Sequence, residues 1–175
     1  MKTVRILGHP VHRMLIAFPM GLLATAAIFD VIYLASGSTA WATASMYLIG
    51  AGVVGGLIAA IFGAIDWLYI PDATRAKRVG AVHGLGNVFV VLLFLGSLYM
   101  RSQYITPPTF AFVLSFLGVG LAMIMAWLGG ELVTRLGVGV DIGANVDAPS
   151  SLSSPTASGM VSDRMRRDEQ IRRAG

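Results

Sequence analysis

The residues of this chain that are best suited to chemistry are its three histidines. His9 and His12 are three positions apart, and His83 is followed at the i+4 position by Asn87. Imidazole nitrogens bind haem iron, zinc, copper and nickel, and the first turn of a helix can direct two histidines at this spacing toward one ion. The pattern predicts a site for haem b or a transition-metal ion, with His83 and either His12 or His9 as ligands.

A second set of polar residues could complete such a site. Asp66, Asn87 and Glu131 could orient the imidazole rings or complete the ligand set, and Arg13 or Arg135 could neutralise haem propionates. The same residues also suit structural contacts, because Asp66 could pair with either arginine and Glu131 could pair with Arg135 at i,i+4. Two alternatives therefore stay open: these residues surround a cofactor, or they form ion pairs that stabilise the bundle.

Glycines mark two of the apolar stretches. Three of them flank His83, namely Gly80, Gly84 and Gly86. They are expected to clear space around that ring for a neighbouring helix or a flat ligand. Gly52 and Gly56 form a G-x-x-x-G pattern, which predicts close helix packing within the chain, with a homodimer as the alternative.

The elements that must position these residues are four apolar runs, at 14–34, 42–65, 79–100 and 110–128. Each is close to the ~20 residues that a helix needs to cross a bilayer. The chain is 55% hydrophobic and only 13% charged, and its mean hydropathy is +0.73. The sequence predicts an all-α fold, an integral membrane four-helix bundle that forms one domain over residues 1–140.

Basic residues give this bundle an orientation. All but one of the 13 Lys and Arg residues lie on one side of the predicted membrane, and the exception is Arg101. Basic residues that flank spans stay cytoplasmic, so both termini are expected on the cytoplasmic side of the cytoplasmic (inner) membrane of a bacterium. The candidate site residues then share one depth at the cytoplasmic end. Asp30, near the far end of the first crossing, is expected to extend its carboxylate to the outer interface.

Residues 141–175 differ from the rest of the chain. Ser, Pro, Ala, Gly and Asp dominate first, and Arg alternates with acidic residues at the end, so a disordered basic cytoplasmic tail is expected. The absence of cysteine excludes disulfides, thiolate-held iron–sulfur clusters and thiol nucleophiles. No catalytic triad, P-loop, dinucleotide fingerprint or nucleic-acid-binding motif is present, so the sequence assigns neither an enzymatic reaction nor a nucleic-acid partner.

An ordered set of motifs carries a resemblance to a known family. The motifs are Gly8-His9-Pro10-Val11-His12, Phe18-Pro19-Met20-Gly21, Asp66-Trp67, His83-x-x-x-Asn87 and Gly129-Gly130-Glu131-Leu132-Val133 before Gly137-Val138-Gly139-Val140. Over residues 8–140 the chain resembles the bacterial membrane proteins with domain of unknown function 2231. The resemblance implies four membrane helices, and the Rieske-type domain next to this domain in some relatives implies redox chemistry. Relatives often have Pro at the position of Arg13 and His at those of Ala17 and Leu136.

Three classes of function are compatible with these residues. The first is a haem- or metal-binding redox or electron-transfer component with its histidine cluster at the cytoplasmic end. The second is a non-catalytic structural or partner subunit of a membrane complex. The third is a small ion- or proton-coupled carrier with Asp66 and Glu131 as relays, which is disfavoured because four spans show no evident inverted repeat. The expected partners are the lipid bilayer and either a second copy or a redox protein.

Overall fold

The computed structural model describes residues 3–141, 143–153 and 172. Its elements in chain order are β1 (Arg5–Ile6), β2 (His9–Pro10), α1 (Val11–Leu15), α2 (Ala17–Ser36), α3 (Thr39–Leu68), α4 (Arg75–Gln103) and α5 (Thr109–Thr134). Four stretches are long and apolar enough to cross a membrane, namely Val11–Ser36, which joins α1 and α2, and the helices α3, α4 and α5. The prediction of a helical membrane protein with four crossings is confirmed. The small antiparallel hairpin β1–β2 was not expected, and most of the predicted tail lies outside the described residues.

The first crossing is interrupted at one residue, Ile16, between α1 and α2. Pro19 follows three positions later and has no N–H to donate to the carbonyl of Leu15. Backbone hydrogen bonds continue on both sides, from Ile16 N–H to the carbonyl of His12 at 3.1 Å and from Met20 N–H to the carbonyl of Ile16 at 3.2 Å. The proline therefore sets the short helix that carries His12 apart from the long crossing.

The helices pack as two hairpins, α1–α2 with α3 and α4 with α5, which meet mainly through α3 and α4. Their shared core consists of Leu23, Ala26, Ile49, Val53, Val90, Phe94 and Met125. Large apolar side chains such as Phe18, Leu57 and Trp127 are exposed on the outside, where a lipid bilayer solvates them. We call the end where α1 and α4 begin and α3 and α5 finish the histidine end, and the opposite end the far end.

The two hairpins are structural repeats of each other. A Cβ added to Gly52 would lie 2.7 Å from the side chain of Leu23, and one added to Gly118 would lie 2.7 Å from that of Phe94. Leu23 and Phe94 are 71 positions apart, whereas the two glycines are 66 positions apart. Equivalent residues are thus 71 positions apart in the first helix of each hairpin and 66 positions apart in the second.

The same offsets align further contacts and identical residues. Ser45 of α3 donates its hydroxyl hydrogen to the carbonyl of Ala26 of α2 at 3.0 Å. At the equivalent pair of positions the roles are exchanged, and Ser97 of α4 donates to the carbonyl of Ala111 of α5 at 2.7 Å. Identical pairs include Val11 and Val82, Phe18 and Phe89, Leu22 and Leu93, Leu48 and Leu114, Val53 and Val119, and Ile58 and Ile124. Because both hairpins start at the histidine end, a rotation about the bundle axis relates them, as in parallel repeats of membrane proteins.

Candidate functional site

His12 lies on α1 and its ring packs on α3. Its Nδ1 is 2.8 Å from the carbonyl oxygen of Ala59, and a Cβ added to Gly63 would lie 2.8 Å from its Cε1. A carbonyl oxygen only accepts, so Nδ1 carries the proton and donates it. The lone pair of this neutral imidazole is therefore on Nε2.

His83 lies on α4 and its ring packs on α5. Its Nδ1 donates to the carbonyl oxygen of Met125 at 2.9 Å, and a Cβ added to Gly129 would lie 3.1 Å from its Cε1. The amide of Asn87 donates to the carbonyl of His83 at 2.8 Å and approaches its Nε2 at 3.2 Å. The lone pair of this ring is also on Nε2, where a weakly bound amide faces it.

The two hairpins hold their histidine rings in the same way. In each hairpin, Nδ1 donates to the carbonyl that lies four positions before the glycine on which the ring rests. His12 and His83 are related by the offset of 71, like the other residues of their helices. The histidine end therefore holds two half-buried imidazoles with the same Nδ1 hydrogen bond, and the amide of Asn87 contacts Nε2 of His83.

Two of the three glycines that flank His83 let neighbouring helices approach α4, which is one of the two alternatives expected from sequence. A Cβ added to Gly80 would lie 2.8 Å from Cδ1 of Trp67, and one added to Gly86 would overlap a side chain of α5. Gly84 has no neighbour within 4 Å. Room for the imidazole comes instead from a glycine on the facing helix.

His9 is located in β2, outside the first helical turn. Pro10 is the residue before α1, which begins at Val11. The side chain of His9 is exposed, and its Nε2 is 3.3 Å from the hydroxyl of Ser151. The structure does not bring His9 to the two packed rings, because the extended backbone before Pro10 directs it into the hairpin.

Two arginines, Arg5 of β1 and Arg13 of α1, hold the segment that follows α5. Arg13 donates to the carbonyl of Val138. Arg5 donates to the carboxylate of Asp141 at 2.6 Å and to the carbonyl of Gly139 at 3.3 Å. Arg13, which was expected near haem propionates, is thus engaged with backbone.

The carboxylates of the histidine end are also engaged. Oδ1 of Asp66 accepts a hydrogen bond from the backbone N–H of Val4 at 2.8 Å. Glu131 accepts from Arg75 at 2.7 Å, which corrects the expected pairing with Arg135. Arg135 is the exposed residue that ends α5. Both carboxylates therefore connect segments at the surface of the bundle.

At the far end of the bundle lies a buried ion pair that the sequence did not predict. Asp30 on α2 and Arg101 on α4 form an ion pair of 2.6 Å, with side chains 0% and 1% exposed. Arg101 also donates to the hydroxyls of Ser97 and Ser115, at 3.1 Å in both cases. The expectation that Asp30 reaches the outer interface was wrong, because a buried arginine from the other hairpin pairs with it.

The sequence contained a signal for this pair. Asp30 follows His12 by 18 positions, and Arg101 follows His83 by the same 18 positions. An alignment of the two halves would have identified the two charges as equivalent residues. Equivalent residues near a rotation axis are the ones that can contact each other.

The histidine end offers two imidazoles as candidate ligands for a metal ion. Within the described residues, no group of three or more His, Cys, Asp or Glu side chains could hold a metal, so the protein would supply two imidazoles. Imidazoles whose Nδ1 atoms donate to carbonyls have the orientation and basicity of metal ligands. Two imidazoles suit a copper or zinc ion, or the axial positions of haem iron.

Four apolar crossings around a common core, with polar groups at both ends, define a multi-pass membrane protein of the helical-bundle class. Residues 8–142 match the model of the family described as a predicted membrane protein, DUF2231. The chain belongs to this family, and the resemblance found in the sequence is confirmed. No curated protein and no solved structure matches the chain.

Proposed function

We propose that the protein binds one transition-metal ion between His12 and His83 and acts as a small redox or electron-transfer component of the bacterial cytoplasmic membrane. The observation that carries the proposal is the repeated hydrogen bond from Nδ1 of each ring to a backbone carbonyl. This bond fixes the tautomer that leaves Nε2 free to bind a metal, and it raises the basicity of that nitrogen.

The alternative is that the two histidines are structural, since a structural histidine in a bundle also needs hydrogen bonds for its ring nitrogens. Two features favour ligation over that alternative. Nε2 of His83 has only the 3.2 Å approach of Asn87, whose amide keeps a shorter 2.8 Å bond to a carbonyl. A metal ion can displace the weaker contact without breaking the stronger one. The same construction also recurs in both hairpins, although the residues that supply the two carbonyls differ.

The histidine end is proposed to face the cytoplasm, with both termini on that side. Arg5, Arg13, Arg75 and Lys77 all lie at this end, and basic flanking residues are retained on the cytoplasmic side. The native chain has no cysteine, so single cysteines at Ser38 and Ser153 can be labelled selectively. Labelling of intact cells by an impermeant maleimide is expected at position 38 alone, and the reverse pattern would invert the orientation.

A proton- or ion-coupled carrier is not favoured. A carrier needs polar groups along its path, whereas the core between the two ends contains Phe94, Ile49 and Ala26, each 0% exposed. The proposed relays, Asp66 and Glu131, are bound to the backbone of Val4 and to Arg75. Electron transfer makes no such demand, since electrons need no aqueous path, but it requires a redox partner protein or a second copy of the chain.

Metal analysis and a visible spectrum of the detergent-purified protein test the proposal. The protein is supplied in separate experiments with copper, iron or haem during expression. One metal per chain is expected, and a Soret band distinguishes haem iron from a bare ion. His12→Gln and His83→Gln should each lose the metal, since glutamine can still donate to the carbonyl but binds metals poorly.

His9→Gln is the matched control, because it changes the one histidine that is exposed in β2. It should keep the metal. A wild-type protein that binds no metal under any supply, or a His9→Gln variant that loses as much as the other two, would overturn the proposal. The structural or partner-subunit function would then be the one left.

A further inference from the structure

The buried ion pair at the far end contains two polar atoms whose hydrogen-bonding capacity is unused. Oδ1 of Asp30 and Nη1 of Arg101 have no hydrogen-bond partner among the described residues. The residues themselves are 0% and 3% exposed. Side chains this deeply buried are out of contact with bulk water, and an unsatisfied buried charge is costly. The pair therefore presents one acceptor and one donor that no described protein atom satisfies.

Hydrogen bonds to two serines hold the orientation of the guanidinium. Its Nη2 donates to Oδ2 of Asp30 at 2.6 Å and to Ser115 at 3.1 Å, and its Nε donates to Ser97 at 3.1 Å. The two serines are themselves 2.9 Å apart and hydrogen-bonded. These bonds hold the guanidinium in an orientation in which Nη1 and Oδ1 form no second, direct hydrogen bond.

Aromatic packing fixes the group from another side. The guanidinium carbon of Arg101 lies 4.8 Å from the centre of the Phe112 ring. Phe112 in turn stacks on Tyr33, with 5.4 Å between ring centres. The charged group is thus covered by α2 and α5 and has no open route to the surrounding lipid.

The chemistry of the two free atoms defines what can bind. An occupant must accept a hydrogen bond from Nη1 and donate one to Oδ1, which a hydroxyl group or water does. An anion could not donate, and a cation could not accept. Either ion would also add a net charge to a pair that is already neutral. Burial of both side chains limits the occupant to the smallest member of this class.

We propose that Asp30 and Arg101 form a closed binding site for one water molecule, which joins the two repeated halves of the bundle. Each half supplies one charge from the same position of its first helix, since the two residues are separated by the repeat offset of 71. The water completes a bridge of two hydrogen bonds beside the direct ion pair. Buried waters of this kind satisfy polar groups that protein atoms cannot reach.

Nuclear magnetic resonance of protein labelled with ¹⁵N-arginine tests the site directly. The measurement is the rotating-frame Overhauser effect between water and the side-chain protons of Arg101 in perdeuterated detergent. We expect a direct water cross-peak on the Nη1 protons and none on the Nη2 protons. If Arg101 has no water cross-peak, the pair is dry and the proposal is overturned.

A double variant, Ser97→Ala with Ser115→Ala, tests the reason for the site. It keeps both charges and removes the serine bonds that fix the guanidinium. Arg101 should then turn to a two-bond contact with Asp30, and the water cross-peak should disappear while the amide spectrum of the bundle persists. A cross-peak that survives in this folded variant would show that the serines do not create the site, which contradicts the proposal.

Discussion

Removal of one charge from the buried pair at the far end should be among the most damaging substitutions in the chain. In Arg101→Met, the long apolar side chain fills much of the same space but donates no hydrogen bond. Asp30 would keep a carboxylate that is 0% exposed and has lost its only described partner. Breaking a buried pair in this way costs about 3–5 kcal/mol.

The size of the effect follows from the unpaired charge and not from the loss of favourable contacts. An apolar replacement of both partners is often neutral, since neither charge then has to be desolvated. Asp30→Val combined with Arg101→Met should therefore recover most of the stability that Arg101→Met alone loses. A loss of about 3–5 kcal/mol corresponds to a decrease in Tm of roughly 6–20 °C for a chain of this size.

Thermal unfolding in detergent, followed by helical circular dichroism or by fluorescence-detected size exclusion, measures these differences. Arg75→Met is the matched control, because the side chain of Arg75 is 57% exposed in its pair with Glu131. It should cost about 0–1 kcal/mol. The reasoning is refuted if the double replacement is as unstable as Arg101→Met, or if Arg101→Met is no worse than Arg75→Met.

Four further substitutions test the histidine end. Gly129→Ala should displace the ring of His83, because the new Cβ would lie 3.1 Å from Cε1; it should cost about 1–3 kcal/mol of stability and weaken metal binding. Gly84→Ala, whose new Cβ has nothing within 4 Å, should instead stabilise the helix by up to about 1 kcal/mol. Equal Tm values for the two variants would contradict the packing. Glu131→Gln should lower the Tm by no more than a few degrees, since it weakens an ion pair whose arginine side chain is 57% exposed. A larger loss in the melting experiment would mean that the carboxylate does more than bind arginine. Arg13→Met should leave the bundle folded but raise hydrogen exchange in residues 137–141, whose backbone the arginine holds; unchanged exchange there, measured by mass spectrometry, would argue against that fastening.

Local sequence patterns were enough to predict the crossings and the kinds of residue at each end. The transfer of apolar side chains to lipid adds up along a short window of sequence, so 110–128, for example, is recognisable without any partner. The candidates His12 and His83 were likewise recognisable, since four crossings bring the starts of alternate helices to one end. The repeat offsets of 71 and 66 were also present in the sequence, but few identical residues mark them.

The partner of each side chain was decided only by tertiary packing. Which face of a helix meets its neighbour depends on how large residues such as Phe94 fit against glycines such as Gly118 on another helix, and no local pattern contains that rotation. For this reason the sequence assigned Asp30 to the interface, whereas the structure pairs it with Arg101, 71 positions away. The sequence determined that charges and histidines are present at these depths; the fit between the two halves determined that Asp30 meets an arginine and His83 meets a carbonyl.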